Sequence, residues 1–367
     1  MQSSHVGAVT SLAFSPTGDR LASGGKDRTI RLWNVKGEQE FLLQTYAKVN
    51  SVVYSPDEHL LASAGTDGTV QLWNLQDLKK GEPFAAWKAY RGSVKKVSFS
   101  PDGQVLITAG ADDRTTELCK LWPIESFDNL MKQAQDNVNS NLEQNSRHLC
   151  NGIKTSQLPA QPLVPIPKSP DRLAEVKPID PKAAKEISEL KGHHGSVRSV
   201  AFSPDGQTAW VSNYEMYGDG FSGTADDVCS PEQNHAQSFL YRINTQGLTI
   251  DRAVQVGAVP KYVATTPNNR YVLASNWCSW DVSVIDPVQN KEVRRIQVGA
   301  YPRGIAIADN QIAYVAVMGS ADVAAINLTD FSVNWLRNVG NAPRHLNLDP
   351  AGKYLYATLN GEGQVAK

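Results

Sequence analysis

The chain has 367 residues, 41% hydrophobic and 20% charged, with 36 Lys and Arg against 37 Asp and Glu for a formal charge of −1. That balance excludes a global field drawing it to nucleic acid or an anionic membrane. The longest apolar run falls well short of the roughly 20 residues a membrane helix requires. The four cysteines are too few for a disulfide-built scaffold, and none sits in a C-x-x-C pair with metal-site spacing.

The first residues, Met1 to His5, enter a strand pattern at once, so the sequence as written predicts no signal peptide and a cytoplasmic chain. A periplasmic or cell-surface location follows if the chain is a fragment of a longer exported protein. The segment Val9-Thr10-Ser11-Leu12-Ala13-Phe14-Ser15-Pro16 then recurs at Val49–Pro56, Val94–Pro101 and Val197–Pro204. Its apolar–polar alternation predicts a strand with one buried face, closed by a Pro-containing turn. A second strand follows at Leu21–Gly24, Leu61–Ala64 and Leu106–Ala109, and a third ends on Trp33, Trp73 and Trp122. The period is near 40 residues.

These residues resemble the WD-repeat family over about 5–123 and 187–204, which implies an all-β propeller of four-stranded antiparallel blades. In that family a His, a Ser or Thr, an Asp and the Trp form a buried hydrogen-bonded network within a blade. His5, Ser23, Asp27 and Trp33 match all four positions. Ser63, Asp67 and Trp73 match three, and Thr108, Asp112 and Trp122 match three in the next blade. A buried polar network stabilises only when every member is satisfied, so the resemblance implies a structural role for these residues.

After Pro204 the pattern changes. Ala209–Asn213, Tyr271–Asn276, Ala313–Met318 and Tyr354–Asn360 are copies of one strand. The turns Gly257–Lys261, Gly299–Arg303 and Gly340–Arg344 recur 41 or 42 residues apart. This part, about residues 205–367, resembles the YVTN-type propeller repeats of bacterial surface and periplasmic proteins. The count is about seven blades in one mixed ring: three WD-type blades in 1–123, an insertion or linker in 124–186, and about four YVTN-type blades in 187–367. The last blade is expected to lack its outer strand, since both ends of the chain fall inside the repeat. The chain therefore reads as a piece of a longer one.

Two segments interrupt the repeats. Residues 124–186 begin with a predicted short amphipathic helix, Phe127–Ala134, and continue into Asn- and Ser-rich and then Pro-rich sequence. The helix with Arg147–Cys150 looks like the tail that follows the last blade in some WD-repeat proteins, which would make the chain parts of two propellers. Against that, Ile187–His193 reads as the outer strand of a WD blade and would complete blade three across the insertion. Both readings stand at this level. The second interruption, Tyr214–Ser238, carries Asp219, Asp226, Asp227 and Cys229, and the equivalent loop of the next blade is Trp277-Cys278-Ser279-Trp280. Adjacent blades on one face would bring Cys229 and Cys278 together, predicting a disulfide and an oxidising compartment. The Asp cluster lacks the regular ligand spacing of a calcium loop, so no metal is predicted.

Lys261, Arg303 and Arg344 each follow a Pro at the start of an innermost strand, where a propeller borders its channel. Three converging cations suit a carboxylate or phosphate group, although a repeat-wide structural pairing explains them equally. Trp277 and Trp280 are expected to form an exposed apolar surface for a protein or sugar partner, or to fold under the neighbouring loop. No nucleophile elbow, H-E-x-x-H, phosphate loop or haem attachment motif occurs, so no enzyme and no cofactor are predicted. The resemblances imply a protein–protein interaction scaffold of unnamed partners, with a small-anion or glycan binder at the channel mouth as the alternative.

Overall fold

The computed structural model describes residues 5–78, 81–111, 117–124, 188–190, 196–214, 229, 238–247 and 249–367. The predicted helix at Phe127–Ala134, the loop carrying Asp219, Asp226 and Asp227, and Asp112 all lie outside them. The described strands form seven antiparallel sheets arranged as a ring, a seven-blade β-propeller.

Blade one consists of β1 (Val9–Phe14), β2 (Arg20–Gly25), β3 (Thr29–Asn34) and β4 (Gln39–Gln44). Blade two is β5 (Val49–Tyr54), β6 (Leu60–Gly65), β7 (Thr69–Asn74) and β8 (Ala85–Lys88). Blade three is β9 (Val94–Phe99), β10 (Val105–Ala111), β11 (Glu117–Pro123) and β12 (Ser188–Leu190). Blade four is β13 (Ser196–Phe202), β14 (Thr208–Tyr214), β15 (Ser238–Asn244) and β16 (Thr249–Val256). Blade five is β17 (Pro260–Thr265), β18 (Val272–Asn276), β19 (Asp281–Asp286) and β20 (Lys291–Gln297). Blade six is β21 (Pro302–Ala308), β22 (Ile312–Val317), β23 (Asp322–Asn327) and β24 (Val333–Leu336). Blade seven is β25 (Pro343–Leu348), β26 (Leu355–Leu359) and β27 (Gln364–Ala366), with no fourth strand among the described residues.

The inner hairpins of blades two, three and four close through one device. Ser100 Oγ donates to Asp102, whose carboxylate accepts Gln104 N–H at 3.1 Å, and Val105 N–H donates back to Ser100 Oγ at 2.9 Å. Gly103 takes φ +73°, a backbone state that costs a glycine little. The same Ser–Asp arrangement recurs at Ser203 and Asp205.

Apolar clusters lie between consecutive blades, not within them. Leu32, Leu43, Val52 and Trp73 join blades one and two, and Val70, Val97 and Leu106 join two and three. The cluster of Ile107, Leu121, Val197, Val200 and Ile243 joins blades three and four. It joins the blades on either side of the insertion, so they share a core. The fourth strand of blade three is supplied from beyond the insertion: β12 pairs with β11, Glu189 opposite Lys120. The blades on either side of the insertion therefore belong to one propeller and not to two partial ones.

Blades seven and one meet differently. Phe14 and Tyr356 pack edge to face at 5.0 Å, while His345 Nδ1 accepts the Leu12 N–H at 2.9 Å and Asn347 Nδ2–H donates to Leu12 O at 3.3 Å. The His345 bond is one case of a repeated tie. Ser11 Oγ accepts Val52 N–H at 3.1 Å, and Ser199 Oγ accepts Val263 N–H at 3.0 Å. In each case the residue just after a bulge reaches sideways to the next blade. Because Nδ1 accepts a backbone hydrogen, His345 carries its proton on Nε2, which donates to Tyr262 Oη at 3.1 Å.

Within blade one, His5 Nε2 lies 2.8 Å from Ser23 Oγ and His5 Nδ1 lies 3.0 Å from Asp27, while Trp33 Nε1–H donates to Ser23 Oγ at 2.8 Å. In blade two Trp73 Nε1–H donates to Ser63 Oγ at 3.0 Å, and Asp67 accepts the Thr69 hydroxyl at 2.6 Å. In blade three Trp122 Nε1–H donates to Thr108 Oγ1 at 3.0 Å. There Tyr90 takes the histidine's place, its Oη 3.0 Å from Thr108 Oγ1.

Two predictions follow from the ties. Ser11→Ala strands a buried N–H and costs about 1–3 kcal/mol in urea unfolding. Burial, helped by Lys96, Arg344 and Arg303, holds the His345 imidazole well below its ordinary value, and burial also lowers His5. A histidine depressed in the fold leaves the unfolded chain binding more protons below about pH 6.5, so stability is present above that pH and falls on acidification. His345→Gln should reduce the difference in unfolding free energy measured at pH 8 and pH 5; an undiminished difference would contradict this.

Candidate site at the narrow end of the channel

Each inner strand carries a β-bulge near its first residues. Val9 faces Gly25 but Ser11 faces Gly24, which leaves Thr10 unpaired in the ladder. The same shift occurs at Asn50, Lys95, Arg198, Lys261, Arg303 and Arg344. A bulge re-aims a side chain and increases local twist. Here it turns one residue of every blade onto the channel, and all seven line one cavity of about 130 Å³ with Ser11, Lys96, Tyr262 and His345. Five of the seven are cations, and no carboxylate is among the described residues lining the cavity.

Lys261, Arg303 and Arg344, expected at the channel, are brought together there. Lys95 and Arg198 were missed. Their signal is their place one residue after the opening Val of their strands, equivalent to the place after Pro260, Pro302 and Pro343. That equivalence appears only when all seven inner strands are aligned on the bulge.

The electrostatics agree with the geometry. Burial, then the neighbouring Arg198, lowers the Arg344 guanidinium below its ordinary value. Arg344 Nη1 donates to Asn360 Oδ1 at 3.4 Å. Lys261 is 5% exposed, with Nζ 5.6 Å from the Trp277 ring centroid, and Arg303 Cζ is 5.3 Å from the same centroid. Thr10 Oγ1–H donates to Val49 O at 2.5 Å and Asn50 Nδ2–H to Val94 O at 2.7 Å, so the neutral members of the ring also tie adjacent blades.

Of the two readings of the Trp pair, burial holds for Trp277 and the exposed surface does not. Trp277 is only 8% exposed and packs with Val259, Cys229, Cys278 and Tyr301. Its N–H donates to Val259 O at 2.9 Å and that of Cys278 to Ala258 O at 3.1 Å, which folds the loop back over the turn entering blade five. Trp280 is half-buried at φ +58°, edge-on to Tyr301. Trp277 is instead a wall carrying two of the channel cations on its π face, a contact worth about 0.5–2 kcal/mol. Behind that wall Cys229 and Cys278 are joined, with Cα atoms 5.1 Å apart, inside the range that a disulfide spans. Among the described residues no group of three or more His, Cys, Asp or Glu is placed to hold a metal ion, and no helix is long and apolar enough to cross a membrane.

The bridge spans 49 positions, for which loop-closure entropy gives about 4 kcal/mol. Reduction of the folded protein, or Cys278→Ser, should lower unfolding free energy by that order. Intact-mass analysis should show two hydrogens gained at the pair on reduction, and two thiols already free in protein matured in its native host would sink the assignment.

Residues 1–34, 38–74, 81–118 and 184–227 match the family model for the WD domain, G-beta repeat, and no curated protein matches the chain. The matched units are offset from the blades. Residues 38–74 span β4 to β7, and 184–227 span β12 to β14, so each of these begins on the outer strand of the preceding blade. The last match runs past residue 205, where the second repeat type was expected to begin. The chain is thus a seven-blade β-propeller whose first part is similar to the WD domain, the last matched segment running from the outer strand of blade three into blade four.

Proposed function

We propose that this propeller is a non-enzymatic interaction scaffold whose narrow channel end receives an anionic group, borne by a protein partner or by a small ligand. The observation that carries the reading is the ring of bulge residues: seven blades each turn one side chain to a common axis, and five of those side chains are Lys or Arg. An anion at the axis would meet cationic side chains from five blades at once. WD propellers generally present such faces to other proteins, which supports the scaffold half of the reading. A glycan is less well suited, because Trp277 lies under its loop and offers no open stacking platform.

We read blades five to seven as the YVTN-type repeat. The Cys229–Cys278 pair supports maturation in an oxidising compartment, and so favours the periplasmic or surface location over the cytoplasmic one. The test of the anion reading is thermal unfolding in chloride against phosphate, sulfate and citrate at constant ionic strength. At least one multivalent anion should raise the Tm of the wild-type chain by several degrees, through binding to the folded state. The double variant Arg198→Gln and Arg344→Gln should lose that increment. Equal Tm values in all anions would reject the reading.

A further inference from the structure

We propose that the opposite, wide mouth of the channel docks a segment of a partner protein, which sets an apolar side chain into the mouth between flanking Lys or Arg residues. The inference stands apart from the anion reading of the narrow end. Each inner strand starts at that narrow end and runs towards the turn that follows it, and the far ends of the strands open a cavity of about 870 Å³. Phe14, Val53, Ala201, Ala264, Ile307 and Leu348 line it and are half-buried, so its wall offers apolar surface to an occupant. A concave site of this volume, apolar within and polar at its edge, is of the kind that holds a ligand. The turns of consecutive blades touch around the mouth. Glu58 accepts the Thr17 N–H, and Asn310 Oδ1 accepts the Asn268 N–H at 2.7 Å. Gly18, Gly103 and Gly206 lie against Pro350, Pro56 and Pro101. The rim is therefore set before a partner arrives, which lowers the ordering cost of docking.

Charge names the partner. Six of the seven turns carry a carboxylate: Asp19, Asp57 with Glu58, Asp102, Asp205, Asp309 and Asp349. Asp309 and Asp349 line the cavity itself. The cations of the same turns are engaged outside it. Arg20 pairs with Glu40 of β4 at 3.1 Å, while Arg270 and Lys353 lie over the rings of Tyr271 and Tyr354 at 5.0 and 5.1 Å. Lys96 is the one Lys or Arg among the described residues lining the cavity, and its Nζ sits 5.0 Å from the Tyr262 ring centroid. The hydroxyls of Ser100 and Ser203, with backbone N–H groups, hold the Asp102 and Asp205 carboxyls below their ordinary value. Those donors are neutral, so both carboxylates keep their full charge. Carboxylates spread around a rim favour a segment whose several cations reach several of them at once, whereas a small cation meets one or two. Exposed ion pairs contribute little by themselves, and the apolar wall below supplies the anchor.

Selection of a phage library of random peptides on the whole chain at low ionic strength tests the docking site. The enriched peptides should carry Lys or Arg flanking an aliphatic or aromatic residue. Once synthesised, such a peptide should bind roughly tenfold or more tightly than a lysine homopolymer of equal length. Asp102→Asn with Asp205→Asn and Asp309→Asn should weaken it by a similar factor, and Arg344→Gln at the other mouth should leave it unchanged. Asparagine keeps the acceptor oxygen that the turns use, so the Tm of the triple variant should stay that of the wild type. Should the triple fail to fold, Asp309→Asn alone supplies the comparison, with a smaller loss. Enrichment of any other pattern, or of none, would overturn the proposal. So would a lysine homopolymer that binds as tightly as the selected peptide, or undiminished binding by the aspartate variants.

Discussion

A ring of sheets holds together only if each innermost strand is fastened to the next, and at three junctions here one backbone donor does the fastening. The N–H two residues past the first bulge position would face a neighbouring blade unpaired, and a side chain from that blade accepts it. Ser11 serves Val52 and Ser199 serves Val263. His345 serves Leu12 where the last blade meets the first. The longer imidazole reaches across a junction that lacks the apolar cluster found at the other six among the described residues. A buried N–H left without an acceptor is expensive, so the geometry of this tie constrains how the inner strands of blades one, two and five enter the ring.

The bulge that makes the tie also makes the site. Displacing one residue from the ladder sends its side chain to the axis and rotates its successor towards the neighbouring blade. Closure and channel chemistry are thus two outputs of one backbone irregularity. The charges are distributed as an arc and not a full circle: blades one and two contribute Thr10 and Asn50, and the five blades after them contribute only cations. A chain of formal charge −1 thus gathers five cations at one mouth whose described lining holds no carboxylate.

The blades were legible because their signals are local. Alternation, the Ser-Pro turns and the terminal Trp all act within ten residues, and the strands fall within one or two residues of their expected places. The completing strand β12 was legible only as an alternative, since its partner Lys120 lies 69 positions upstream of Glu189. Arg198 and Lys95 escaped notice for another reason. Equivalence across the seven blades is set by the bulge register, and a bulge leaves no residue signature of its own when the flanking position is Val in blades one to four and Pro in blades five to seven. The aromatic pair misled in the opposite direction: an exposed Trp and one folded under its own loop read alike until the backbone hydrogen bonds of Trp277 and Cys278 place them.

The late arrival of β12 has a consequence for synthesis. Between Pro123 and Ser188 the ribosome must add about 64 residues, which at roughly 5–20 residues per second takes some 3 to 13 seconds. Through that interval blade three has three strands and an open edge at β11, an exposed template for pairing with another nascent chain. Crowded polysomes would expose many such edges at once. Slow translation through the insertion is therefore a hazard for this chain, and a chaperone that shields a single strand edge for seconds would protect its yield more than one that acts on the finished ring.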